Sequence, residues 1–248
     1  MRSLLVCAYL GACALDAAPS LAGETRTTAP AAAPRKDVLS GKQHYSHGKE
    51  ELIIRDFFKD RRGGFFLDVG CWHPIQDSNT YYLEEHLGWS GIGVDALPEM
   101  GRKWKRNRPA SQFVNYLVTD HAGTVETFYR AAEYSDISAV EKPATAPGGD
   151  PVTAQEVKVP TSTLTKILEE HGVSKVDFVS IDIEGAEPQA LAGFDIDRFK
   201  PELLCVEAKV KNREFLAKYF ADHGYEQIQR YVAYDQVNYY YAPKARAQ

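Results

Sequence analysis

The sequence is poor in cysteine and carries no surplus of positive charge. Its four cysteines, Cys7, Cys13, Cys71 and Cys205, form no CxxC pair and no zinc-ribbon spacing, so neither a structural zinc nor a disulfide framework has support. Cys71 and Cys205 fall in or beside apolar strand candidates, where cysteine acts as a small apolar filler. The formal net charge is −5, which leaves no global basic footprint, and no nucleic-acid partner is expected. Lys103, Lys105, Arg106 and Arg108 do cluster, but at helical spacing beside Trp104 they read as a solvated helix face. The longest uncharged apolar run, Ser3 to Leu15, is too short to cross a bilayer as a mature helix, so no stable membrane span is expected. No internal repeat is visible. A Gly-x-Gly-x-x-Gly run is also missing, and with it the amides that hold a pyrophosphate, which counts against a nicotinamide-dependent oxidoreductase.

What is present is an ordinary globular composition in 248 residues, 44% apolar and 25% charged, enough for one large α/β domain. Arg2 before the apolar run, with small residues at Ser20-Leu21-Ala22, makes residues 1–22 resemble an export leader. Residues 23–45, rich in Ala, Thr and Pro at first, read as a flexible linker. Residues 46–248 are the folded domain.

Within that domain, strand and helix patterns alternate. Leu52, Ile53, Phe57 and Phe58 recur at helical spacing, and Arg61-Arg62-Gly63-Gly64 ends that helix. Strands are expected at Phe65–Val69, Gly91–Asp95, Gln112–Thr119, Thr124–Arg130, Val157–Pro160, Val176–Ile181 and Glu202–Val206. Helices are expected at Thr80–His86, Pro98–Arg106, from a cap at Thr161 or Ser162 to His171, at Ala186–Ala192 and at Arg213–His223. Two antiparallel strands close the chain between Tyr225 and Tyr241. The stretch Ala131–Glu156 has no period and reads as a long acceptor-side loop or lid. Such alternation predicts a doubly wound, mostly parallel sheet with an antiparallel edge. Ligands of such sheets bind at the carboxyl ends of the strands, near the switch point.

Three strand ends carry chemistry. Asp68-Val69-Gly70 pairs an acceptor for an ammonium group with a glycine that permits a tight turn and close approach. Asp95 ends the second strand, where one carboxylate can accept from both hydroxyls of a ribose. Asp182-Ile183-Glu184-Gly185-Ala186-Glu187 crowds three carboxylates on one turn. Asp182 could be a helix cap and Glu187 a favourable first-turn charge. Glu184 is harder to explain that way, because such crowding is costly unless something positive binds there.

Phe65-Phe66-Leu67-Asp68-Val69-Gly70, Ser78-Asn79-Thr80-Tyr81, Gly93-Val94-Asp95 and Asp177 to Glu187 together resemble the FkbM-type methyltransferases. Asp120 with Gly123, Thr163-Leu164, Leu191-Ala192-Gly193-Phe194 and Glu207 follow in the expected order. The resemblance spans roughly Ser46 to Ala208. It implies a class I methyltransferase fold, Rossmann-like with a seven-stranded sheet, and S-adenosyl-L-methionine as donor. Carried over by position, it implies that Asp68 and Gly70 line the methionine end, Asp95 the ribose and Asp120 the adenine amino group. Asn79 and Asp182 complete the donor site, and Asp182 and Glu184 sit nearest the transferred methyl. His73-Pro74 stands where many members carry a second glycine, and proline fixes that loop and removes a donor.

The expected reaction is O-methylation of a hydroxyl on a small molecule or carbohydrate. Alignment supplies on the order of 7–11 kcal/mol, and a positioned base adds about 10²–10⁴-fold. Asp182, Glu184 and His73 are the candidate catalytic residues, with His121 behind them. A divalent cation held by the carboxylates is the alternative way to acidify the acceptor. The leader leaves a rival open: an exported, non-catalytic binding module on a degenerate methyltransferase fold. Donor supply favours the cytoplasm.

Overall fold

The computed structural model describes residues 44–131 and 153–247; the leader, Cys7, Cys13 and most of the expected lid lie outside them. The first helix, α1 (Glu50–Phe58), stops five residues before Gly63, the first of the glycines predicted to end it, with Lys59 left-handed at φ 55° as its cap. Strand β1 (Phe65–Val69), helix α2 (Tyr81–Leu87), strand β2 (Ser90–Asp95) and helix α3 (Met100–Asn107) follow, each within two residues of its expected start or end. The third expected strand divides at Tyr116 into β3 (Ser111–Asn115) and β4 (Leu117–Val118), which join different sheets.

Strands β5 (Val125–Ala131) and β6 (Ala154–Ser162) pair antiparallel from Val125 opposite Pro160 to Ala131 opposite Ala154. The aperiodic stretch therefore has strand at both rims: Ala131 and Ala154 to Glu156 belong to this ribbon, because its twisted, half-exposed register needs no strict alternation. β6 also runs past the expected cap, and Thr161 and Ser162 are buried strand residues. Thr163 caps α4 (Leu164–Glu170), its hydroxyl accepting from Lys166 N at 3.1 Å. Then come β7 (Phe178–Ile181), α5 (Glu187–Ala192), α6 (Ile196–Phe199), β8 (Leu203–Glu207), α7 (Arg213–Asp222), β9 (Tyr225–Gln227) and β10 (Asn238–Pro243).

Seven of these strands form one sheet in the order β3-β2-β1-β7-β8-β10-β9, and β4-β6-β5 form a second, small one. Neighbours from β3 to β8 are all parallel, while β10 runs antiparallel to both β8 and β9. Counted along the chain within the large sheet, the order is 3-2-1-4-5-7-6. Side chains alternate across it. Leu67, Val69, Val179, Ile181, Leu204 and Val206 face the helices α4 to α7. Phe66, Phe178, Leu203, Cys205 and Tyr240 face α1 and α2. A third cluster, with Trp104, Met100, Leu117, Phe128 and Val159, seats the small sheet beside α3. Cys71 and Cys205 are buried free thiols, as their surroundings predict. Among the described residues no helix is long and apolar enough to cross a membrane.

Candidate active site

The chain reverses its direction of sheet growth between β1 and β7, so the carboxyl ends of those two strands open the crevice where open α/β sheets bind ligands. Gly70 leaves β1 at φ 78°, and a Cβ there would stand 1.8 Å from the Asp182 carbonyl oxygen. Its close approach is thus to the neighbouring strand end, a backbone reason for glycine that operates with or without a ligand. Trp72 (φ 39°) and Asp77 (φ 54°) on the β1 side, and Glu184 (φ 59°) on the β7 side, hold left-handed backbones. Such strain costs about 1–3 kcal/mol per residue and concentrates at functional loops.

The loop after β1 is pinned from three directions. Asp95 Oδ2 accepts from Trp72 N and Oδ1 from Leu97 N, both at 2.8 Å, stitching the exits of β1 and β2 together. Burial pushes this carboxyl up to about 6 against those two amide hydrogen bonds. Asp68 is buried and accepts from Thr80 Oγ1 at 2.6 Å; desolvation raises its pKa, opposed by that hydroxyl and by the charge of Arg108. Asn79 Nδ2 donates to Ser180 Oγ on β7 at 3.0 Å, bridging the crevice at its base.

Arg108 corrects the reading of a solvated basic face. Lys103, Lys105 and Arg106 are exposed, but Arg108, just past α3, is 1% exposed. Its Nε donates to Glu84 Oε2 at 2.7 Å, Nη1 to the Pro74 carbonyl at 3.0 Å and Nη2 to Thr80 Oγ1 at 3.1 Å. Its guanidinium packs 4.4 Å from the Trp104 ring centroid. Helical spacing cannot separate it from its neighbours, because the helix has ended and the chain turns inward.

The histidines have local duties. His73 Nδ1 accepts from Gln76 N at 3.0 Å and Ile75 N at 3.3 Å, closing the turn that contains Pro74. Desolvation, then Lys103, lowers its pKa. His121 is exposed and sits between Asp120 Oδ1 at 2.7 Å and Glu126 Oε1 at 2.8 Å, and those hydrogen bonds raise its pKa. Asp120, the expected adenine contact, spends one oxygen on that imidazole.

The β7 tip divides its carboxylates by role. Glu187 is fully buried and organises the turn: Oε1 accepts from Gly185 N at 2.9 Å and Ile183 N at 3.2 Å, and Oε2 from Asn212 Nδ2 at 2.8 Å. Glu184 receives a hydrogen bond from Lys209 Nζ, so the positive partner that the crowding demanded comes from the chain itself. Glu207, at the end of β8, joins the group, and one oxygen each from Asp182, Glu184 and Glu207 lies within 4.8 Å of the others. Glu207 Oε2 is buried with no hydrogen-bond partner among the described residues, 3.6 Å from Lys209 Nζ. Asp182 is solvent-accessible, yet protein crowds it closely enough that desolvation heads the causes raising its pKa, with Glu184 and Glu187 behind it. Glu207 is raised by desolvation and then by Asp182. Such a pair titrates as a unit, above the ordinary carboxylate range. Sequence reasoning missed Glu207 as a site residue. Its signal, an acid closing the next strand, carries weight only once β8 is known to lie beside β7.

A parallel sheet that reverses at β1 and β7, with acids at the tips of β1, β2 and β7 and an antiparallel final strand, defines a class I S-adenosyl-L-methionine-dependent methyltransferase. The family profile described as the Methyltransferase FkbM domain matches residues 68–227, and the chain belongs to that family. The match sets aside the nicotinamide-dependent alternative. No curated protein matches. Solved structures of similar fold are distant. A TehB-like SAM-dependent methyltransferase from Corynebacterium glutamicum shares 14% identity at TM-score 0.44, over 82% of this chain and 90% of its own. A precorrin-6y C5,15-methyltransferase from Geobacter metallireducens shares 13% at 0.41, over 77% and 79%. A SAM-dependent methyltransferase from Thiobacillus denitrificans, solved with S-adenosyl-L-homocysteine, shares 10% at 0.37, over 79% and 73%. The assignment rests on the family match and the strand order, not on these likenesses.

Proposed function

We propose that the protein methylates a hydroxyl oxygen of a small molecule or carbohydrate, with Asp182 as the general base. One observation carries this. Among the acids of the β7 tip, Asp182 alone is solvent-accessible with a carboxylate that makes no hydrogen bond to described residues, whereas Glu184 is held by Lys209 and Glu187 by the turn. A base must reach its proton and keep a free lone pair. The raised pKa brings Asp182 closer to the working pH, where general bases are effective. On the donor side, Asp68 is assigned the ammonium, Asp95 the ribose, Asp120 the adenine amino group, and Asn79 and Gly70 the shape of the loop between them. His73 is assigned to turn formation, since its Nδ1 is already used. A divalent cation is the competing source of acceptor activation: Asp182, Glu184 and Glu207 make an all-oxygen donor set of the kind magnesium or calcium takes, and Lys209 competes for those oxygens. The test is turnover and donor affinity of Asp182→Asn with and without chelator. Loss of turnover at intact S-adenosyl-L-homocysteine affinity, indifferent to chelator in the wild type, supports the base. Activity abolished by chelator and restored by magnesium supports the cation, and wild-type turnover in Asp182→Asn removes Asp182 from the reaction.

A further inference from the structure

We infer that Thr80 and Arg108 form a positioning pair that holds Asp68 for the ammonium end of the donor; the inference rests on the donor assignment above. The Thr80 hydroxyl has one proton, and its direction is set by what its oxygen accepts. Arg108 Nη2 donates to that oxygen at 3.1 Å, which leaves the proton for Asp68 Oδ2 at 2.6 Å. The chain of donors is therefore directional, from guanidinium to hydroxyl to carboxylate, and each bond polarises the next. It ends on one carboxylate oxygen. Oδ1 of Asp68 has no hydrogen bond among the described residues and keeps its full acceptor capacity.

Arg108 cannot rotate out of this role. Its remaining nitrogens are tied to Glu84 and to the Pro74 carbonyl, and rings of Trp104 and Phe66 pack on the guanidinium at 4.4 and 5.3 Å. The same residue thus anchors both ends of the loop from Pro74 to Thr80. A buried carboxylate that stays charged is a cost to folding, and an apolar contact would serve the fold as well. The Arg108 charge and the Thr80 proton both oppose the desolvation that would neutralise Asp68. Both partners favour the charged form of Asp68, the form a cationic ligand group requires, because a protonated Asp68 would lose its attraction for an ammonium.

The discriminating probes are S-adenosyl-L-homocysteine, which has the ammonium-bearing chain, and 5′-methylthioadenosine, which lacks it. Calorimetry on the full chain should show the wild type binding the first more tightly than the second. Thr80→Val removes the hydroxyl at similar volume, and should weaken S-adenosyl-L-homocysteine about tenfold to a hundredfold while leaving methylthioadenosine unchanged. Thr80→Ser should restore the difference. Arg108→Lys, which keeps the charge but loses the fork, should show the same selective loss; Thr80→Val and Thr80→Ser decide the matter if that variant does not fold. Undiminished S-adenosyl-L-homocysteine binding by Thr80→Val, a parallel loss of both nucleosides, or no rescue by a stably folded Thr80→Ser would each overturn the pair. A wild type that binds neither nucleoside would instead remove the donor assignment on which the pair depends.

Discussion

The loops after β1 and β7 face each other across one crevice, yet they handle buried charge in opposite ways. At the exits of β1 and β2 each buried acid has a partner, with one oxygen of Asp68 left open. Asp95 takes two amide protons, Asp68 takes a hydroxyl, and Glu84 takes a fully buried arginine. After β7, Asp182, Glu184 and Glu207 crowd together with Lys209 as the cation beside them, Asp182 stands open and a buried oxygen of Glu207 goes without a hydrogen bond. A satisfied polar network rigidifies, whereas an unpaired polar group in a low dielectric is costly to the fold, and acids so perturbed collect at functional sites. The difference underlies the roles proposed above, the matched loop as the donor's cradle and the mismatched tip as the place of proton transfer.

The largest expected effect breaks the reactive side. Asp182→Asn should lower turnover by about 10²–10⁴-fold with donor affinity and melting temperature near those of the wild type. Equal losses in turnover and in folded protein would show the tip to be structural. On the cradle side, Arg108→Met should cost roughly 3–5 kcal/mol of stability, because it strands the buried Glu84 carboxylate. Chemical denaturation measures this, and a loss below about 1 kcal/mol would mean that the network is weaker than its geometry implies.

Glu207→Gln sharpens the contrast through pH. Glu207 has a folded pKa raised above its unfolded value, so the folded state binds more protons in the window between them, and stability falls as pH rises from the ordinary carboxylate range, about 4.3, toward the raised value. Glutamine cannot titrate. The variant should therefore match or trail the wild type at low pH and gain on it steadily toward neutral and alkaline pH. Parallel melting curves against pH would contradict the assignment of the raised pKa to Glu207. The smallest effect is expected far from the crevice: a chain starting at Val38 should retain stability and S-adenosyl-L-homocysteine binding, since every described element begins at His44 or later. A clear drop in melting temperature would show that the leader contributes to the fold.

Local pattern alone determined the alternation of strands and helices, the acids at three strand ends, the antiparallel close of the chain and the family. Those features rest on periods of 2 and 3.6 and on short contiguous motifs, which any window of the sequence displays. The tertiary structure decided the rest, since partnership depends on which strands become neighbours. It divided one expected strand between two sheets at Tyr116, and it extended β6 into the expected loop by pairing Ala154 with Ala131. It turned Arg108 inward while Lys103, Lys105 and Arg106 stayed in water. It gave Gly70 a reason for lacking a side chain that lies on another strand, 112 residues on in the sequence, at Asp182. Above all it set β8 beside β7. That neighbourhood brings Glu207 and Lys209 to the Asp182 tip, and it converts three nearby acids in a sequence into one open carboxylate, one paired carboxylate and one turn scaffold.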